Sequence, residues 1–509
     1  MATVRRRWVA TDGELGEWLA SPRDDLVREA AAGHGVYVQD HGPFDRYERR
    51  LLPVTGGAID EVTTYRVGLP WFGWAFAPFV RRSVRHRPRP GHHRPGEQPW
   101  WAPPDRLDHR QIVLLGLLAA ASLCAAFVNT LFTQTVNFAA KDFGVGNSGQ
   151  GVAGTIVRGG ILLALPIVLL ADRIGRRRMI QFTAVAAPLC SAAGALAPSF
   201  PVLTASQTIG RPLGLALDLL IAVAATEEMP RNSRAYAVSV LAMASGLGAG
   251  ICVMSLRLAD LGPSAWRLVY VVSLVWLLVA ADLARRLPET KRFIAHQRDV
   301  VRRHLDRGRL VALCAAAFMG NLFVAPASFF QNRYLEEVRG YTGGGIALFT
   351  ITTATPAGIG ILIGGRIADR YGRRILGAVA LPVGTAVFLC SFGIGGRLMW
   401  VSALVGGLIL GMSVPALGVY RSELFPTGGR SLAGFVVTVS ALVGGSISVL
   451  ATGPLLDRGA SHFEVLGVFA LGQLAVAAIV LLAFPETAHR ELEDINPEDR
   501  ITSGRAATT

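Results

Sequence analysis

The sequence predicts an all-α membrane protein: twelve transmembrane helices in two six-helix pseudo-symmetric bundles, preceded by a small α+β or partly disordered cytoplasmic N-terminal region. Three observations predict it. Past Asp108 the charges withdraw into short clusters and leave twelve apolar stretches of about 20 residues, the length that crosses ~30 Å of hydrocarbon as helix. A set of short charged markers occurs twice, in one order and at nearly one separation. Basic residues gather in alternate connections between the apolar stretches.

The spans are expected near 111–135, 150–171, 179–198, 202–226, 235–257, 266–285, 310–331, 345–367, 375–394, 398–421, 431–454 and 464–484. With the amino terminus inside, the connections assigned to the cytoplasm hold 20 Lys plus Arg and those assigned outside hold 7, so the positive-inside rule puts both termini in the cytoplasm. The division that follows is an N-terminal region at 1–107, a first bundle at 108–285, a central cytoplasmic loop at 286–309 expected to be helical, a second bundle at 310–490 and a tail at 491–509. A composition of 51% hydrophobic and 17% charged residues suits this better than a soluble enzyme, because the charges are so unevenly spread. The net charge of +14 then marks one membrane face and calls for no nucleic-acid partner. All five cysteines fall singly inside apolar stretches, without C-x-x-C spacing, which argues for neither disulfides nor a metal site. His296 and His304 in the central loop have no acid or Cys partners for zinc, and no cofactor is expected.

The duplication rests on three pairs of markers. Ala171 to Arg178 reads A-D-R-I-G-R-R-R and Ala368 to Arg374 reads A-D-R-Y-G-R-R, with Asp172 and Asp369 separated by 197 positions. Glu227, Pro230 and Arg234 spell E-x-x-P-x-x-x-R, as do Glu423, Pro426 and Arg430. The run P-E-T occurs at Pro288–Thr290 and Pro485–Thr487, with its glutamates again 197 apart. Three markers in one order at nearly one separation, 197, 196 and 197 positions, indicate a repeat of the whole six-helix unit.

These residues resemble the major facilitator superfamily, and the P-E-T and E-x-x-P-x-x-x-R elements are similar to its sugar-porter and general metabolite-transporter branch. The likeness covers roughly residues 108 to 490. It implies a secondary active transporter in which two bundles rock about a central site. It further implies that Asp172, Arg176, Arg177, Glu227, Arg234, Glu289, Asp369, Arg373, Arg374, Glu423, Arg430 and Glu486 form a cytoplasmic gate of acid and arginine partners. The aspartates are expected to accept from helix-terminal backbone groups. A simpler role for the arginines is to fix topology. The first copy departs from the family pattern at Val168, where the second keeps Gly365, and Gln207 stands where sugar porters carry an arginine, with Arg211 one turn later.

Ionisable groups inside a span cost ~2.5–3.5 kcal/mol at its centre and each needs a reason. Arg158 lies in the second span, and Arg211 and Asp218 lie in the fourth, seven apart and therefore on one helix face. Two cations against one acid favour an anionic solute held by Arg158 and Arg211, with Asp218 gaining and losing a proton. The competing explanation is that Arg158 snorkels outward and that Arg211 with Asp218 is structural. Asn129, Gln134, Asn137, Asn321 and Tyr420 are further polar candidates, for cavity or for helix contacts alike. The expected function is proton-coupled movement of a small organic solute across the plasma membrane by a monomer. Drug or toxic-metabolite efflux, and a transporter-like sensor that uses the N-terminal region, stand as alternatives.

Within residues 1–107, a charged helix is expected around Arg23–Ala31, followed by alternating segments at Gly35–Gln39, Tyr47–Val54 and Ile59–Val67, the last two joined as a hairpin. The start has no apolar core of a cleavable signal peptide. Gly68–Val80 is aromatic, carries two prolines and is too short to span. With the arginines after it, the stretch 68–85 reads either as an interfacial segment or as one face of a small cytoplasmic domain.

Overall fold

The computed structural model describes residues 1–9, 13–54, 58–87, 98–99, 101–103, 105–230, 233–289, 306–418, 420, 424–425 and 430–487. The expected hairpin turn at Thr55–Gly57, most of the central loop and the tail lie outside these residues.

The chain opens with strand β1 (Ala2–Val9), helix α1 (Gly13–Ala20), strands β2 (Arg28–Gly33), β3 (Val36–His41), β4 (Phe44–Val54) and β5 (Ala58–Val67), and helix α2 (Gly73–Arg85). The strands form one antiparallel sheet in the order β1-β5-β4-β3-β2. β4 and β5 form the expected hairpin, with Val54 opposite Ala58. Phe44, Tyr47 and Tyr65 from the sheet pack with Leu26, Val27, Ala102 and with Val80 and Val84 of α2.

The helix expected around Arg23–Ala31 is corrected: Arg28–Gly33 is strand β2, and the nearby helix is α1. The reason is Glu29. Its buried carboxylate accepts from Arg49 Nη2 at 2.7 Å, the Tyr47 hydroxyl at 2.7 Å and the Arg23 backbone N–H at 2.8 Å. Arg49 and Tyr47 belong to β4, so the extended segment is held by contacts far along the chain, which outweigh the helical propensity of Glu-Ala-Ala-Ala.

Among the described residues twelve helices follow, each long and apolar enough to cross a membrane: span 1 (His109–Asp142), 2 (Asn147–Val168), 3 (Arg176–Leu196), 4 (Phe200–Ala225), 5 (Tyr236–Leu261), 6 (Trp266–Arg286), 7 (Arg307–Val338), 8 (Gly343–Ile361), 9 (Arg373–Gly393), 10 (Gly396–Gly418), 11 (Ala433–Asp457) and 12 (His462–Ala483). The protein is a multi-pass membrane protein built on the predicted spans. Spans 1 and 7, which hold the same place in the two halves, run beyond their expected ends, over Val136–Asp142 and Asn332–Val338. Those extensions meet each other, as described below.

Span 1 starts with a capping box. The Asp108 carboxylate accepts from the Gln111 N–H at 2.7 Å while the Gln111 side chain accepts from the Asp108 N–H at 3.0 Å. The N-terminal region docks onto this end of the first bundle. Pro70 and Leu69 sit against Gly116 of span 1, the Tyr236 hydroxyl of span 5 donates to the Trp101 carbonyl, and the Trp71 indole donates to Asp282 of span 6 at 3.1 Å. We call this the motif end of the bundles, since the duplicated charged markers lie there too, and the opposite one the far end.

Candidate functional site: the seam between two six-helix halves

At the motif end the two copies of the charged turn adopt one geometry. Gly175 and Gly372 both have positive φ, 113° and 105°, a conformation that side chains strain to adopt. Each glycine ends one helix and starts the next, span 3 or span 9. The acid described at the exposed N–H groups of the new helix comes from P-E-T. Glu289 accepts from the Arg177 N–H at 3.1 Å, and Glu486 accepts from the N–H groups of Arg373 and Arg374, both at 3.0 Å. A carboxylate at a helix N-terminus satisfies orphan donors and complements the dipole. The guanidinium of Arg176 reaches the Ala171 carbonyl at 3.3 Å, that of Arg373 reaches the Thr487 hydroxyl at 3.2 Å, and that of Arg374 reaches the Leu481 carbonyl. Each of these contacts stays within its own half. The side chains of Asp172, Glu227, Arg234, Asp369 and Arg430, and all of Glu423, lie outside the described residues.

Halfway through the bundle, span 2 crosses to the second half. Gly160 packs on Thr208 and Pro212 of span 4, just where span 2 tightens into a short 3₁₀ turn at Gly160–Leu163. That packing of span 2 on span 4 sets Arg158 and Arg211 at about one depth on neighbouring helices. Arg158 is buried and points to spans 7 and 11. One of its nitrogens lies 3.5 Å from the Ala325 carbonyl, a long contact, and its Nε has no hydrogen-bond partner among the described residues. Gly445 makes room for it, since a Cβ there would stand 2.9 Å from Arg158 Nη1, 2.8 Å from Ala325 Cβ and 3.1 Å from Asn321 Oδ1. Arg211 is half-buried and its Nε is likewise unbonded among the described residues. Asp218 is exposed, on the helix face that carries Arg211.

Asn321 also lines a cavity of about 470 Å³ that runs from this level toward the motif end, among spans 7, 9, 10, 11 and 12. Its walls are mainly apolar, with Asn321, Thr438 and Gln473 as polar groups. The Gln473 Nε2 donates to the Gly320 carbonyl at 2.7 Å, and its buried Oε1 has no partner among the described residues. Asn129 lies against Gly214 of span 4 with its Oδ1 buried and unbonded among the described residues. Tyr420 is fully buried, its ring 4.8 Å from that of Phe484.

Gln134 and Asn137 serve the seam itself. Asn332 of span 7 donates to the Gln134 carbonyl and side-chain oxygens at 2.8 and 2.9 Å, Asn137 donates to Glu336 at 2.6 Å, and Lys141 pairs with Glu336 at 3.0 Å. Two further bridges close the far end. Asp457, at the end of span 11, accepts from the N–H groups of Asn147 and Ser148 at 3.0 and 2.7 Å, capping span 2. Asp260, at the end of span 5, accepts from the N–H groups of Gly343 and Gly344 at 2.6 and 2.8 Å, capping span 8. These aspartates are 197 positions apart and each begins D-x-G, at Asp260–Gly262 and Asp457–Gly459. Sequence reasoning missed them, although the separation of the other markers points straight at the pair.

The fold and the repeat agree with the relatives. The chain is 25% identical over 347 residues to a probable 4-methylmuconolactone transporter of Cupriavidus pinatubonensis, an alignment covering 65% of this chain and 80% of that one. Its fold is similar to the xylose transporter XylE of E. coli in an inward-open conformation, with a TM-score of 0.63, 16% identity and coverage of 76% of this chain and 99% of the other. It is also similar to the nucleoside transporter NupG, with a TM-score of 0.60, 11% identity and coverage of 73% and 100%. The family model described as Major Facilitator Superfamily matches residues 118–449, from the first third of span 1 to span 11. With twelve spans in two repeated halves and a match of that extent, the chain belongs to the major facilitator superfamily and is a transporter of small organic solutes.

Proposed function

We propose that this transporter carries a small organic anion with an apolar body by alternating access, and that the structure represents the state open at the motif end. The observation that carries the anion is the pair Arg158 and Arg211 at mid-depth, two cations on neighbouring helices whose Nε atoms lack hydrogen-bond partners among the described residues. Keeping such groups in a membrane core costs free energy that a bound carboxylate offsets. The cavity beside Asn321 is of the size that holds a small metabolite, and its apolar walls suit a ring or alkyl body. The relative named as a probable 4-methylmuconolactone transporter supports a small organic solute.

Asp218 is assigned to proton exchange, through its position on the Arg211 face. Gln134 moves from the substrate set to the closure of the far end, because its polar atoms meet Asn332. The described hydrogen bonds across the seam cluster at the far end and mid-depth, which supports closure there. Among the described residues, the hydrogen bonds of Arg177 to Glu289 and of Arg373 and Arg374 to Glu486 run within one half each. We place this end in the cytoplasm on the distribution of Lys and Arg, and take the carrier to be a plasma-membrane monomer.

The test is uptake of radiolabelled aromatic and aliphatic carboxylates into proteoliposomes, with and without an imposed pH gradient. Arg158→Gln and Arg211→Gln are each expected to abolish saturable anion uptake, and Asp218→Asn to remove its dependence on the gradient while exchange of preloaded anion persists. Normal anion uptake by a charge-reversed Arg211→Glu protein would sink the assignment.

A further inference from the structure

One polar side chain of the solute cavity is left without a role by the two arginines. Gln473 stands at the middle of span 12 and is 1% exposed, and an amide in apolar surroundings is costly unless both of its ends are bonded. Only one end is. Its Nε2 donates to the Gly320 carbonyl of span 7 at 2.7 Å, and that bond fixes the amide, because a carbonyl accepts and never donates. The amide oxygen is therefore turned away from that carbonyl, and Oε1 has no hydrogen-bond partner among the described residues.

Span 7 leaves this oxygen uncovered. A Cβ at Gly320 would have Val476 Cγ2 at 3.8 Å and Gln473 Oε1 at 4.0 Å as its nearest neighbours from other helices, so the place of the missing side chain is open beside the oxygen. Gly320 and Gln473 both line the cavity. The next residue, Asn321, brings its Oδ1 to Gly445, where the Arg158 guanidinium also ends. Arg158 contacts Ala325, five residues and ~7.5 Å along span 7 from Gly320, so a carboxylate at Arg158 and a group at Gln473 are separated by roughly the length of a six-membered ring with a substituent at each end. An amide oxygen can only accept, and what it lacks at that separation is a donor on the solute. We propose that Gln473 is a specificity-determining residue that accepts a hydrogen bond from a solute hydroxyl at the end opposite the carboxylate, so that the anion carried is a hydroxylated carboxylic acid. The inference rests on the anion reading of Arg158 and Arg211.

The experiment measures affinities by isothermal titration calorimetry on the full chain in detergent, for benzoate, 4-hydroxybenzoate and 2-hydroxybenzoate. The parent is expected to bind 4-hydroxybenzoate at least about tenfold more tightly than benzoate, because a solute without the hydroxyl leaves the buried acceptor unpaired. It should bind 2-hydroxybenzoate no better than benzoate, since that hydroxyl sits beside the carboxylate. Gln473→Met, similar in length and a far weaker acceptor, should bring benzoate and 4-hydroxybenzoate to near parity with benzoate affinity unchanged. Gly320→Ala, whose methyl fills the open place beside Oε1, should reduce the preference in the same direction. Equal affinity of the parent for benzoate and 4-hydroxybenzoate overturns the proposal, and so does a preference that Gln473→Met leaves intact at an unchanged melting temperature. Failure of the anion reading would look different, as phenol binding as tightly as 4-hydroxybenzoate, and the effect of Gln473→Met on phenol would then still decide whether the hydrogen bond exists.

Discussion

Arg158 reaches from the first half of the molecule into the second, and the room for its guanidinium is made by a missing side chain, that of Gly445. Gly445→Ala should therefore impair transport without touching any charge. The added methyl meets Arg158, Ala325 and Asn321 at 2.8–3.1 Å, and overpacking of this kind costs ~1–3 kcal/mol. Initial-rate uptake is expected to fall severalfold or more, while binding of span-3 and span-9 partners at the motif end is unchanged. The two arginines were legible in the sequence because a charge in an apolar run of twenty residues stands out against its cost. Their proximity was not, since it depends on Gly160 letting span 2 settle on Thr208 and Pro212. Nor was the placing of Gln134, whose pattern in the chain is the same whether it faces a solute or Asn332.

Among the elements, the spans were readable from length and composition alone, whereas β2 was not. Its residues favour a helix locally, and the buried Glu29 carboxylate decides otherwise through Arg49 and Tyr47 of the neighbouring strand. Removing that charge should be costly, because Arg49 is wholly buried and would lose its strongest partner. Glu29→Gln is expected to destabilise the sheet by ~3–5 kcal/mol, read as tryptic cleavage between residues 1 and 107 with the spans left intact. The turns at Gly175 and Gly372 make a second prediction at this scale. Gly372→Ala places a Cβ at positive φ and 2.8 Å from Glu486, so it should destabilise the protein by the ~1–3 kcal/mol such strain costs, read as a lower melting temperature. Glu486→Gln, which keeps the shape and removes the charge at two helix N–H groups, should lower it less.

Across the whole molecule, the halves are joined by a pair of equivalent bridges, Asp260 onto the start of span 8 and Asp457 onto the start of span 2. Both carboxylates are exposed, so each bridge is worth only ~0.5–1 kcal/mol, and together they bias the population of states by about five- to thirtyfold. Asp260→Asn with Asp457→Asn should shift the protein toward the state open at the far end by that factor. Spin labels across spans 2 and 11, read as distance distributions, would check it. An unchanged distribution would assign far-end closure to Glu336, Lys141 and the Asn332–Gln134 contact instead.

The N-terminal region is fastened through Leu69, Pro70, Trp71 and Trp101, which flank the sheet, to Gly116, Tyr236 and Asp282, positions that all belong to the first half. It must therefore swing with that half as a stiff outrigger whenever the bundles tilt. A fluorophore on edge strand β2 and another on the Ile394–Gly395 loop of the second half would form a natural lever gauge, turning a tilt of a few degrees in the membrane into a distance change that can be followed in real time.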